Sequence, residues 1–278
     1  MLWTDRGRSS NLEDRRGMSG GAGMGIGGTA VLLILSLVFG HNFFNDVGSG
    51  GGVATQSNGR LAPDDSAREE PEIRFVSFVF DDVQSTWAGI LPKAGAQYHD
   101  AGIVTYRGAT PTACGTGQTG MGPFYCPMDE KVYIDLAFYD ELKTKFAASG
   151  DFAQAYVLAH ELGHHVQHLL GTDAQVRRAE QQGSRGANGA SVKLELQADC
   201  YAGVWAHTTE QRKLLQSGDV DEALTAAAAV GDDKIQQRTS GGVNPDTFTH
   251  GSAAQRSSWF KRGLETGDLR ACDTFGAG

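Results

Sequence analysis

The chain is short of positive charge: 24 Lys and Arg stand against 33 Asp and Glu, a net charge of -9. Phosphate binding needs a basic face, so this balance argues against nucleic acid as the main partner. C-x-x-C pairs are missing, which excludes a zinc ribbon although four cysteines are present. The glycine-rich "GTGQTG" of Gly115–Gly120 lacks the Gly-Lys-Ser/Thr ending of a phosphate loop. No internal repeat is visible. From Gly17 to Asn45 there is no Asp, Glu, Lys or Arg at all.

That uncharged stretch contains "IGGTAVLLILSLVFG", Ile26–Gly40. About 20 apolar residues cross a bilayer, and no small-x-small cleavage site follows Phe39 to support a removable signal peptide. The pattern predicts a transmembrane anchor over 24–44 behind a head of residues 1–23. Arg6, Arg8, Arg15 and Arg16 precede it and Asp46 is the first charge after it. This places the head in the cytoplasm and the remainder outside, in a single-pass inner-membrane protein. Residues 45–71, rich in Gly, Ser, Asp and Pro, read as a flexible linker. Residues 72–278 then form the folded domain. Cys114, Cys126, Cys200 and Cys272 all follow the apolar segment, an even number suited to an oxidising compartment. Of three pairings, Cys114–Cys126 closes a short loop and Cys200–Cys272 ties the C-terminal tail to the core. Four unpaired buried thiols are the plainer alternative.

Apolar residues at Ile73, Val76, Phe80, Val83, Trp87 and Leu91 recur at helical spacing. "GIVTYRG" and "KVYIDLAF" alternate as strands do, with a glycine-studded loop between them. Further helices are predicted from Phe138 to Ala148, Asp151 to Leu170, Ser191 to His207, Asp219 to Val230 and Ser252 to Gly263. Asp151 and Asp219 are read as helix caps. The whole is a mostly helical α+β domain with a small sheet.

Within the central helix stands "HELGHHVQ". His160 and His164 are spaced i, i+4, so both imidazoles reach one ion from one helix face. Glu161 is displaced round the helix, where a general base must stand. A third ligand is still needed. His168 lies eight residues from His160, about 12 Å of helical rise, and the metzincin positions are Gln167 and Leu170. A carboxylate from another helix remains, and "LELQADCYAGVWA" offers Glu195 with Asp199 one turn on. Glu195 completes a His₂Glu set, while Asp199 accepts the other ring N–H of a ligand histidine. Glu180, Glu210 and Glu222 stay open as alternatives, as does a plain solvated face for Glu195 and Asp199.

"HELGHHVQ" followed by "LELQADCYAGVWA" resembles the YpfJ-type family of bacterial neutral zinc metallopeptidases. "SSNLEDRRG", "ACGTG", "GPFYCP", "KVYIDLAFYDEL" and "FTHGSAAQRSSWFKRG" match it in the same order. The resemblance implies a membrane-anchored enzyme with a zincin-like domain, zinc on His160, His164 and Glu195, and Glu161 as catalytic carboxylate.

The expected function is therefore zinc-dependent hydrolysis of peptide bonds outside the cytoplasm. One Zn²⁺ per chain would activate a water, with Glu161 as its base. His250 is the first choice as oxyanion donor, with Tyr201 and Arg256 behind it and an ordinary structural histidine as the bland reading. Strand Val132–Leu136 is a candidate sheet edge for an extended peptide, or a simple packing strand. The partners expected are a peptide or protein substrate and, through the anchor, the lipid bilayer. A non-catalytic zinc-binding envelope factor is the alternative, and an amidase acting on cell-wall peptides would share the same site.

Overall fold

The computed structural model of the chain describes residues 1–17, 67–118, 121–145 and 150–276. Alternating β-branched and aromatic residues build a four-stranded sheet. Its strands are β1 (Leu12–Asp14), β2 (Gly102–Tyr106), β5 (Phe124–Cys126) and β6 (Lys131–Asp135), in the order β1-β2-β6-β5. The first three in that order run parallel, with Leu12 opposite Ile103 and Ile103 opposite Val132, and β5 runs antiparallel to β6. Of the two readings of strand β6, sheet edge or packing strand, the second holds: it lies inside the sheet, and the edge beside it is β5. The glycine-studded loop contains a hairpin, β3 (Ala109–Thr112) with β4 (Gly115–Gln118). Cys114 at its tip is disulfide-bonded to Cys126 of β5.

Ile103, Val132 and Ile134 of the sheet pack into one core with helix α1 (Glu70–Ile90), which contributes Ile73, Val76, Phe80, Val83 and Trp87. The remaining helices are α2 (Ala137–Lys145), α3 (Asp151–Leu169), α4 (Thr172–Gln181), α5 (Ala190–Gln211), α6 (Asp219–Ala229), α7 (Asp232–Ser240) and α8 (Ala253–Thr266). The domain is mostly helical α+β. Helix α8 starts where a capping box dictates: Ser252 Oγ accepts from Gln255 N while the Gln255 side chain accepts from Ser252 N. Asp151 and Asp219 are not caps. Gly150 and Gly218 hold those positions without a side-chain bond, and Glu222 of α6 reaches over to accept Phe152 N at the start of α3.

Two glycine contacts set the helix spacing. A Cβ on Gly163 of α3 would sit 3.1 Å from the Ala198 carbonyl oxygen of α5. A Cβ on Gly263 of α8 would sit 2.0 Å from the Cys200 carbonyl oxygen, and one on Gly203 of α5 2.1 Å from that of Phe260. Helices α3 and α8 therefore both lie backbone-close to α5. The Cys200–Cys272 disulfide ties the segment after α8 to the same helix.

The N-terminal head overturns the single-pass architecture and the location that went with it. The anchor predicted over 24–44 lies outside the described residues, and among the described residues no helix is long and apolar enough to cross a membrane. Strand β1 is hydrogen-bonded to β2, and Arg16 pairs with Glu69 at 2.9 Å just before α1. Leu2 N donates to Leu214 O, and the Met1 nitrogen lies 3.2 Å from Asp219 Oδ1. One crossing between residues 17 and 67 would put these partners on opposite sides of about 30 Å of hydrocarbon. A cytoplasmic head and an extracytoplasmic catalytic domain are therefore excluded together.

Glu72 gives the fold a pH dependence. Burial, with Asp140 nearby, pushes its carboxyl from 4.5 up to about 7. Below pH 4.5 it is protonated whether the chain is folded or not. Between the two values only the unfolded chain ionises, so this group's contribution to stability falls as pH rises, and above about 7 the half-buried anion carries its full cost. Glu72→Gln should raise the melting temperature at pH 8 by the equivalent of about 1 kcal/mol after solvent screening and leave it unchanged at pH 4. A separate check concerns packing. Gly263→Ala should lower the unfolding free energy in urea by roughly 1–3 kcal/mol through overpacking, seen as a lower midpoint, and an unchanged midpoint would mean the two backbones are not in contact.

Candidate metal centre

Helix α3 is buried along most of its length because it runs between the α1 side of the core and α5. Its spacing turns His160 and His164 to one face, their rings 4.8 Å apart and nearly perpendicular. The close crossing at Gly163 and Ala198 lets α5 present Glu195 to both rings. His160 Nε2 is 3.2 Å from Glu195 Oε2, and His164 Nε2 is 3.4 Å from Glu195 Oε1. One ligand atom from each residue lies within 4.8 Å of the others.

The far side of each ring is held by a different group. His160 Nδ1 lies 2.8 Å from Asp199 Oδ1. A carboxylate only accepts, so the ring proton sits on Nδ1. His164 Nδ1 lies 2.8 Å from Gln167 Oε1, and the amide orientation is set because Gln167 Nε2 donates to Leu194 O at 2.7 Å and to Gln197 Oε1 at 3.1 Å. His164 therefore also carries its proton on Nδ1. Both Nε2 atoms face Glu195 with their lone pairs: three acceptors converge, an arrangement that suits a cation and not a neutral packing contact.

The electrostatics agree. Burial alone would pull His160 down, yet Asp199 and Glu195 outweigh it and hold the imidazole up at about 10. Burial would raise Glu195, but the His164, His160 and His250 rings hold it well below the usual carboxylate range. Without a metal the site thus favours a proton on His160 Nε2 facing an ionised Glu195, the place that a bound cation would take. Glu161, 8 % exposed, differs: burial pushes its carboxyl up to about 7, near the operating pH of a general base.

His250 enters from the loop between α7 and α8. Asp232, the first residue of α7, accepts the backbone N–H groups of Thr249, His250 and Gly251 on one oxygen, at 2.8, 2.7 and 2.9 Å. Its other oxygen is 3.2 Å from His250 Nδ1. Burial pulls His250 down, and Asp232 together with the charge on Glu195 raises it on balance. The other two oxyanion candidates fall elsewhere. Tyr201 is in the core, edge-on to Trp87 at 5.2 Å, and Arg256 is behind His160, bonded to Asp199. Gln167 and Gln197 were not read as site residues; a helix-face count from His164 shows Gln167 three positions on, but nothing in the sequence shows the Leu194 carbonyl that orients it. Among the described residues a second acidic group, Asp151, Asp219 and Glu222, also has converging oxygens. The Met1 nitrogen engages two of its members.

Residues 1–275 match the family described as "Putative neutral zinc metallopeptidase". The uncharacterized protein YpfJ of Escherichia coli K12 is 47% identical over 287 residues, 99% of either chain. The uncharacterized proteins Rv2575 of Mycobacterium tuberculosis and Mb2605 of Mycobacterium bovis are each 48% identical over 206 residues, 70% of this chain and 68% of theirs. No solved structure matches. The zinc that the family description implies has a fitting donor set in two bare imidazole nitrogens and one carboxylate, and the chain belongs to this family of neutral zinc metallopeptidases.

Proposed function

We propose that the chain is a zinc peptidase in which His160, His164 and Glu195 hold a single zinc ion and Glu161 is the general base. The observation that carries this reading is the convergence of the two Nε2 atoms on Glu195, with both Nδ1 protons committed to Asp199 and Gln167. Two nitrogens and one carboxylate make up the ligand count of a catalytic rather than a closed structural zinc site. When bound, zinc supplies Lewis-acid polarisation of the water and the scissile carbonyl.

The residues divide the remaining work. The Glu161 carboxylate takes a proton from the attacking water as its oxygen bonds to the carbonyl carbon. Glu161 then passes that proton to the amide nitrogen as the C–N bond breaks, leaving a carboxylic acid and an amine. His250, aimed by its Asp232 bond, donates to the oxyanion that develops on the carbonyl. Asp199 and Gln167 keep the two ligand rings in the tautomer that bares Nε2. The substrate is a peptide or protein segment.

Two measurements test this. Wild-type protein should retain about one zinc per chain, an expectation of a site with three protein ligands, and Glu195→Ala should lose it; zinc unchanged in that variant would move the third ligand elsewhere. Glu161→Gln should keep its zinc while peptide turnover drops by roughly 10²–10⁴-fold, and full turnover in that variant would remove Glu161 from the chemistry. For His250→Ala the expected pattern is retained zinc, little change in KM and a kcat lower by about 10²-fold. A rise in KM alone would make His250 a substrate contact.

A further inference from the structure

Arg256 is buried, 4 % exposed, and lies one turn into α8. Its Nε donates to Asp199 Oδ2 at 2.8 Å and its Nη2 to Asp199 Oδ1 at 2.9 Å, a two-pronged contact on a carboxylate that is itself 0 % exposed. Tyr156 OH of α3 donates to the same Oδ1, and Arg256 Nη2 lies 3.3 Å from that hydroxyl. Asp199 thus accepts from three residues, and one of the bonds is to His160 Nδ1.

We propose that Arg256 is a positioning residue of the zinc site, acting on His160 through Asp199. The inference rests on the zinc reading above. A lone buried carboxylate between an imidazole and a hydroxyl can rotate and offer His160 a different lone pair. The guanidinium prevents this: its planar fork matches the carboxylate plane, so Oδ1 alone is left for the ring. His160 must then keep its proton on Nδ1 and bare Nε2 toward Glu195. The backbone contacts of Gly203 with Phe260 and of Gly263 with Cys200 bring α8 close enough to α5 for this reach. The geometry makes the seating of α8 a condition of metal retention, although Arg256 offers the metal no ligand.

A buried ion pair that merely holds two helices together would predict something else, and zinc affinity in a mutant cycle separates the two. Affinity is read by competition with a chromogenic chelator, with the melting curve of each chelator-stripped protein recorded beside it. Loss of an orienting partner costs about 10–100-fold in metal affinity. Asp199→Asn and Arg256→Gln should each show a loss in this range, and the double variant should be no weaker than Asp199→Asn alone, because Arg256 acts only through that carboxylate. Multiplying losses, or wild-type affinity in Arg256→Gln, would overturn the proposal. Should Arg256→Gln fail to fold, Arg256→Lys carries the test. It keeps the charge without the fork, so about 10-fold weaker zinc is expected on the same scale, and wild-type affinity there would sink the idea. Failure of the zinc reading itself looks different: wild-type protein, or His164→Ala as much as wild type, would then show no specific affinity to lose.

Discussion

The crossing of α3 and α5 at Gly163 and Ala198 is the constraint on which the site depends. Three converging acceptors are useful only if two helices, one carrying His160 and His164 and the other Glu195, lie closer than ordinary side chains allow. Gly163 provides that distance, since a Cβ there would stand 3.1 Å from a backbone oxygen. The same crossing buries Asp199 against His160 and Gln167 against Leu194 O. Packing geometry therefore determines the tautomers, and the tautomers determine which nitrogens are free. Helix α8 repeats the device on the other side of α5 with Gly203 and Gly263, and from there Arg256 reaches Asp199.

The N-terminal residues share this economy. Three residues, Leu12–Asp14, extend a parallel sheet beyond β2, and the arginines beside them are spent on carboxylates: Arg16 on Asp14 and Glu69, Arg8 on Asp14 and Glu70. Read as a sequence, the same arginines ahead of an apolar run look like a topology signal. Charge counting could not show that two of their partners, Glu69 and Glu70, lie more than fifty residues downstream. Ion pairs across that separation are tertiary facts, and the strand they accompany is too short to register as alternation.

Legibility followed the length and regularity of each pattern. Helices α1, α3, α5, α6 and α8 carry apolar stripes over many turns and were readable to within a few residues, as were β2 and β6. Helices α4 and α7 are polar and nearly unburied, with only Val176 and Asp232 buried, so no stripe announces them. The β3–β4 hairpin is built from Gly and Thr, whose composition signals a loop. In the site, the i, i+4 spacings of His160 with His164 and of Glu195 with Asp199 were visible because helical geometry alone puts each pair on one face. Gln167, Gln197 and the Asp232–His250 contact depend on which helices meet, and sequence spacing carries no trace of that. The caps show the same division: Ser252 with Gln255 is a local pairing, whereas Glu222 capping α3 from α6 is a contact between distant segments, and the sequence pointed to Asp151 instead.

The two histidines proposed as ligands stand on chemically unlike partners, one an anion and one a neutral amide, and Arg256 lessens the difference between them. An unpaired Asp199 would add a full negative charge behind His160 that Gln167 does not add behind His164. With the guanidinium bound to it, the Asp199 charge is offset inside the core, where desolvation would otherwise make it costly. The two rings still differ: burial holds His164 below the usual imidazole range, whereas at His160 burial is outweighed by Asp199 and Glu195. In the proposed site Glu195 and Glu161 are the two carboxylates left to balance a divalent cation. Glu161 stands outside the Arg256–Asp199 pair, and its burial outweighs the lowering pull of His160 and Arg256, which keeps its proton affinity near neutrality. In the proposed mechanism a carboxylate bound to Arg256 would be too acidic to act as the base, and the guanidinium is instead engaged by Asp199.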